Sequence, residues 1–169
     1  KASAYVYLRA NRYEELLTLK ERIQNCARGA AIATENRYTT EQANPTYAEV
    51  FCGSTTFRLI SDVMEQLHLP VAGQITVSGS SDVGNLNLEI PVLYPLISIG
   101  GQAHLYSPEF AREIAGEHGY IGMEHGAQVM GNLLLRLAES PNLLSQIKAE
   151  HQNYRSDRFE TVTDAHMAE

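Results

Sequence analysis

The sequence has little of what builds disulfide frameworks or cysteine metal clusters. Its 169 residues include two cysteines, Cys26 and Cys52, and their separation matches no metal-ligand spacing. Cys26 falls on the apolar face of a helical pattern, so a buried free thiol is expected there. No Lys/Arg cluster is long enough to serve a nucleic acid or a membrane surface, and neither partner is expected. The net charge of -7 is spread out and speaks mainly to solubility. No apolar run approaches the length that spans a bilayer. Repeats and low-complexity stretches are absent. Together these absences point to a cytoplasmic chain. The length suits one ordinary domain with a sizeable core, and equally the end of a longer polypeptide. The first residue is Lys1, and Ala4 to Leu8 already reads as a strand with no leader before it. The expectation is a start that cuts through a structured region.

The pattern along the chain alternates between the two periodicities. Ala4 to Arg9 is rich in β-formers. From Tyr13 to about Thr34 the period turns helical, with Leu16, Leu19, Ile23, Cys26 and Ala30 on one side and most charges elsewhere. Ala27, Gly29, Ala30 and Ala31 make the end of this helix slim. Arg37 to Gln42 can form a second strand. Asn44-Pro45 marks a break. Tyr47 to Leu67 carries an amphipathic helix in its second half. Ile75 to Ser78 is a short strand leading into Gly79-Ser80-Ser81-Asp82-Val83-Gly84. The apolar run Val92 to Ile99 has the character of a strand buried on both faces. Glu124 to Leu137 is a strong helix. Ser140-Pro141 starts a last helix over Asn142 to Asn153. After Arg155 the periodicity ends, which predicts a loose tail over 156–169.

Two places can carry chemistry. Asp82 lies in a loop flanked by glycines and hydroxyls, where backbone amides can approach a ligand and a carboxylate can orient a donor or a cation. The plainer alternative is a capped turn. His104 follows the apolar run and the pair Gly100-Gly101, at the kind of strand end where ligands bind in α/β sheets. A neutral imidazole there suits zinc and similar ions; a satisfied structural histidine is the alternative. Glu117-His118 and Glu124-His125 are seven residues apart, which is roughly 10 Å along one helix and too far to share an ion. With Gly119 following His118, both pairs read as loop and helix-start features. Arg9 could bind a carboxylate or be a solvated strand-end charge.

The Gly79 to Gly84 loop, the run from Pro91 to Gly100 and the stretch Gly101-Gln102-Ala103-His104-Leu105-Tyr106-Ser107-Pro108-Glu109-Phe110 together resemble the C-terminal part of the metal-dependent aminoacylase and carboxypeptidase family, peptidase family M20. The amidohydrolase branch that includes the aminobenzoyl-glutamate hydrolases is the most similar. The resemblance covers most of residues 4 to 153. It implies an α/β fold: half of an α+β lid over 1–45, which commonly carries a homodimer contact, then the end of the catalytic α/β domain over 46–155. It implies that His104 closes a two-metal centre of zinc or manganese. It also implies that Gly79, Ser80, Ser81, Asp82 and Gly84 border the pocket for a small acyl-amino acid or dipeptide substrate. The family's other ligands come from an upstream His-x-Asp motif and a Glu-Glu pair that includes the general base. This sequence has no His-x-Asp, and Glu14-Glu15 lies on the lid helix, where it reads as a solvated face. No catalytic residue can therefore be assigned. The expected function is that of a C-terminal fragment, inactive alone, which needs the N-terminal part of the catalytic domain. The alternatives are one chain of a split enzyme, or a non-catalytic binding and assembly module derived from the same fold.

Overall fold

A computed structural model describes residues 2–73 and 81–166, with side chains described through residue 158. Among these residues all regular structure is α-helical and no strand occurs: α1 (Tyr13–Ala33), α2 (Ser54–Gln66), α3 (Asp82–Asn87), α4 (Pro108–Ile114), α5 (Glu117–Glu139) and α6 (Pro141–His166). This overturns the expected α/β fold. The β-rich segments 4–9, 37–42 and 92–99 form no strand. A strand's hydrogen bonds are made to another strand, so β-propensity without a neighbour yields no sheet. The strand expected over Ile75 to Ser78 lies outside the described residues.

The chain divides into two compact units, one of Lys1–Phe51, Thr76–Ile90 and Arg155–Glu169, the other of Cys52–Ile75 and Pro91–Tyr154. In the first unit, Glu14 and Glu15 stand in the first turn of α1, where negative charge suits the helix dipole. The helix closes with the Asn36 N–H donating to the Ala31 carbonyl at 2.9 Å and the Glu35 N–H donating to that of Ile32 at 3.2 Å. Glu35 takes the left-handed conformation this closure requires, with φ 54°. No residue of α1 is buried. Its apolar stripe is half-covered at Leu16 and Leu19 and open from Ile23 onward, so Cys26 is exposed and not the buried thiol expected from its register.

Polar contacts hold this unit together. Arg158, 5% exposed, pairs with Glu14 and, at 3.3 Å, with Glu49. Its guanidinium lies 5.4 Å from the centre of the Tyr13 ring, within cation–π reach. Glu49 also accepts the Tyr13 N–H at 2.9 Å, satisfying a donor at the start of α1. Glu14 is therefore not part of a solvated face. The segment expected to be a tail is helical through His166 and supplies Arg158. Helices carry their own hydrogen bonds, so an ion pair is enough to hold this last stretch of α6 without an apolar stripe of its own.

The second unit has an apolar core. Leu59, Val63 and Met64 of α2, Val129 and Leu133 of α5 and Ile147 of α6 form one buried cluster, with Leu93, Ile97, Leu69, Leu137 and Leu143 packed against it. The turn after α2 closes as α1 does: the His68 N–H donates to the Glu65 carbonyl and the Leu69 N–H to that of Met64, both at 2.9 Å. His68 has φ 56°. Leu69, just past the turn, then meets the core that holds Met64. At the other end of α2, Gly53 offers no capping side chain, and the Glu150 carboxylate takes that role. It accepts from the Ser54 hydroxyl at 2.8 Å, the Thr55 hydroxyl at 2.6 Å and the Thr55 N–H at 3.1 Å. Between residues 91 and 100 burial alternates: Leu93, Ile97 and Ile99 turn inward while Tyr94 and Leu96 are about half exposed, at 47% and 54%. The run is thus covered on one face and not both. Among the described residues no helix is long and apolar enough to cross a membrane.

Candidate functional site

The residues read as chemically capable fall in both units. Gly79 and Ser80 lie outside the described residues. Ser81 caps α3, its hydroxyl accepting the Val83 N–H at 3.3 Å. Asp82 follows as the first helical residue and is exposed. Gly84 is buried against backbone: a β-carbon there would stand 1.9 Å from the Ala48 carbonyl oxygen. Its lack of a side chain answers a close approach of two chain segments, independent of any ligand.

That approach is fixed by two asparagines the sequence reading passed over. The Asn85 side chain accepts the Ala48 N–H at 2.8 Å and donates to the Thr46 carbonyl at 3.2 Å. Asn87, 1% exposed, accepts the Phe51 N–H at 2.6 Å and donates to the Ile90 carbonyl at 3.2 Å. Each amide satisfies one backbone donor and one backbone acceptor, so 46–51 is bracketed to α3 as a neighbouring strand would be. In the sequence Leu86, Leu88 and Ile90 alternate with asparagine and glutamate. The signal overlooked was the Asn-x-Asn within it. The bracket sets Ser81 and Asp82 on a rigid base, with the Asp82 carboxylate directed to the surface.

In the second unit, His104 sits in the loop between residue 100 and α4. Gly100 and Tyr106 both take positive φ, 77° and 66°. Ser107 pins the loop from the backbone side: its N–H and hydroxyl donate to the His104 carbonyl at 3.1 and 2.7 Å, while the hydroxyl accepts the Phe110 N–H at 3.1 Å and caps α4. Glu113 of α4 turns back and accepts the Ala103 N–H at 3.4 Å. The main chain of His104 is therefore held on both sides while its ring is exposed.

The other histidines have different surroundings. His118 and His125 both lie on α5, contrary to the reading that Gly119 separates them. Gly119 is needed inside the helix, because a β-carbon would stand 1.8 Å from the Ile114 carbonyl oxygen. The His118 Nδ1–H donates to the Ile99 carbonyl at 3.0 Å. His125 helps line an apolar cavity of about 160 Å³ with Met64, Leu69, Ile97 and Ile121. Arg9 is exposed.

Electrostatic perturbation is concentrated at the α2 cap. Hydrogen bonds from Thr55 and Ser54 hold the Glu150 carboxyl below the ordinary glutamate range, against a smaller desolvation effect. Burial, with a lesser push from the Glu150 charge, raises the Cys52 thiol and keeps it protonated. The first accompanies the capping of α2 by Glu150, and neither prepares a nucleophile.

A catalytic zinc site draws about three protein ligands. Among the described residues no three His, Cys, Asp or Glu side chains converge to hold an ion. The residues described here do not by themselves fit a metal centre, and no catalytic step can be routed through one.

No family model matches the chain, and no solved structure matches it. Among curated proteins, the Xaa-Arg dipeptidase of Mus musculus is 24% identical over 148 residues, covering 85% of this chain and 34% of the relative. The Homo sapiens Xaa-Arg dipeptidase is 22% identical over 148 residues with the same coverage. The chain spans about a third of the length of these curated relatives. The similarity is distant homology to a peptidase.

Proposed function

We propose that this chain is the C-terminal portion of a metal-dependent amidohydrolase acting on the amide bond of small acyl-amino acids or dipeptides, and that it is inactive alone. The similarity to two Xaa-Arg dipeptidases, extending over 85% of the chain, carries this reading. The exposed ring of His104 on a pinned loop supports it. Here His104 contributes one ligand to bound zinc or manganese. The remaining ligands and the general base come from an N-terminal part of the catalytic domain. Gly79, Ser80, Ser81, Asp82 and Gly84 border the substrate, and residues 1–45 carry a homodimer contact. The relatives' name makes dipeptides ending in arginine the first substrates to try.

The test compares the purified 169-residue chain with the product of its complete reading frame, or with the chain co-expressed with the polypeptide encoded beside it. Metal-dependent release of arginine is expected only from the larger species. His104→Ala in that species should lose metal by elemental analysis and lose turnover. With metal stripped from both, its unfolding should stay within about 0.5 kcal/mol of the parent, since an exposed loop side chain contributes little to folding. Full metal occupancy in folded His104→Ala returns the histidine to a structural role. A larger species that is folded but inert on every amide tried favours the non-catalytic module.

A further inference from the structure

The cavity of about 160 Å³ in the second unit has no part in the hydrolase reading. Met64, Leu69, Pro70, Ile97, Ile99 and Ile121 line it, so its walls are largely apolar. An apolar cavity of about 150 Å³ holds one benzene molecule, which makes this space the size of a single ring. It is partly open to solvent, so a small molecule has a way in.

Three local devices fix the walls. In the turn after α2, the Leu69 N–H donates to the Met64 carbonyl at 2.9 Å. The His118 Nδ1–H holds the Ile99 carbonyl at 3.0 Å. Gly122 lets residue 99 lie close to α5, since a β-carbon there would stand 2.7 Å from the Ile99 Cγ2. None of the three involves a ligand, so the space is formed in advance, as small-molecule sites usually are.

His125 breaks the apolar character of the lining. It is half-buried, and among the described residues its ring has no hydrogen-bond partner. A polar group placed against apolar walls without a partner is costly. Water serves it poorly, because an ordered water needs roughly two to four polar partners and these walls offer few.

We propose that this cavity binds a small neutral molecule with one ring and one hydroxyl, of the phenol class, and that His125 bonds the hydroxyl. A hydroxyl both donates and accepts, so it suits either tautomer of the imidazole. An ionised carboxylate would give up its water to apolar side chains. None of the lining residues is among those assigned to metal or substrate above, and the inference does not rest on that reading.

Titrating phenol, benzene and benzoate into the 169-residue chain, with NMR detection of the Met64 and Ile121 methyl groups, tests it. Phenol should shift both and saturate with a Kd of about 1 mM or lower. It should bind about fivefold more tightly than benzene, for one added hydrogen bond, and at least about tenfold more tightly than benzoate. In His125→Phe, benzene should still bind and phenol should lose its advantage. Ile121→Trp should fill the space and abolish the Met64 shift; should that variant not fold by circular dichroism, the parent and His125→Phe decide. No saturable shift with any of the three compounds would overturn the site. Benzene matching phenol, benzoate exceeding it, or an unchanged preference for phenol in His125→Phe would overturn the assigned ligand class. Binding by the chain and not by the larger species described above would also overturn the site, by showing that the rest of the protein fills it.

Discussion

The two units are built on opposite principles. In the second, six apolar side chains from three helices form a dry cluster, and burial of that kind is worth roughly 1.5–3 kcal/mol per large side chain. In the first, Ala48 is the buried hydrophobic residue found among the described ones, and order comes from Arg158, Glu49, Asn85 and Asn87. One unit is held by contacts without direction, which tolerate changes of shape. The other is held by a few directional contacts, each of which leaves a buried partner stranded if removed.

The sharpest way to break this contrast is Arg158→Ala. Removing the guanidinium leaves Glu14 and Glu49 facing each other without their cation. A loss of about 3 kcal/mol is expected, toward the low end for buried pairs because both carboxylates keep some exposure. Ile147→Ala in the other unit should cost a comparable 2–5 kcal/mol or so through cavity formation. Salt distinguishes them: urea unfolding in high sodium chloride should shrink the penalty of Arg158→Ala and leave that of Ile147→Ala unchanged.

Next in size is Asn87→Ala, expected to cost about 1–3 kcal/mol because the Phe51 N–H and Ile90 carbonyl lose a buried partner. Exchange of the Phe51 amide should accelerate together with that of Ala48, whose own partner Asn85 is untouched, if the bracket acts as a unit.

Glu150→Gln should cost about 1 kcal/mol as a weakened cap and should also alter the pH dependence. The folded-state pKa of Glu150 is lowered, so its contribution is fully present above the ordinary glutamate value of about 4.3 and is lost as pH falls through the lower folded value. Acid unfolding of the parent should therefore steepen below about pH 4.3, and the variant should show a shallower limb. Identical limbs would remove Glu150 from the account.

The smallest change has the opposite sign. His68 pays for a left-handed backbone, so His68→Gly should stabilise the α2 closure by up to about 1 kcal/mol, read as a raised unfolding midpoint.

The helices were legible where their determinants are local. The reading of Tyr13 to Thr34 lies within a residue of α1, and Pro141 does open α6. α5 begins seven residues earlier than expected, at Glu117 and not Glu124, because Gly119 reads as a breaker until its tight contact with Ile114 is seen. The strands failed for a nonlocal reason: β-propensity at Tyr5, Val6 and Tyr7 or over 92–99 states a need for a partner and cannot supply one. Of the candidate site, the exposed Asp82 and His104 were visible as residue types. The devices that hold them, Asn85, Asn87, Gly84 and Ser107, act across distances or through backbone geometry that spacing does not encode.

The bare surface of α1 has a practical consequence. Cys26 is exposed on its later turns, whereas the Cys52 thiol is pushed up by burial and by the neighbouring Glu150 charge. A maleimide or similar thiol reagent at neutral pH should therefore label one position first, and the label would sit on the stripe that nothing described here covers. The rate of that reaction becomes a gauge of occupancy: whatever settles on α1, whether another copy or another polypeptide, would announce itself by slowing the modification of Cys26.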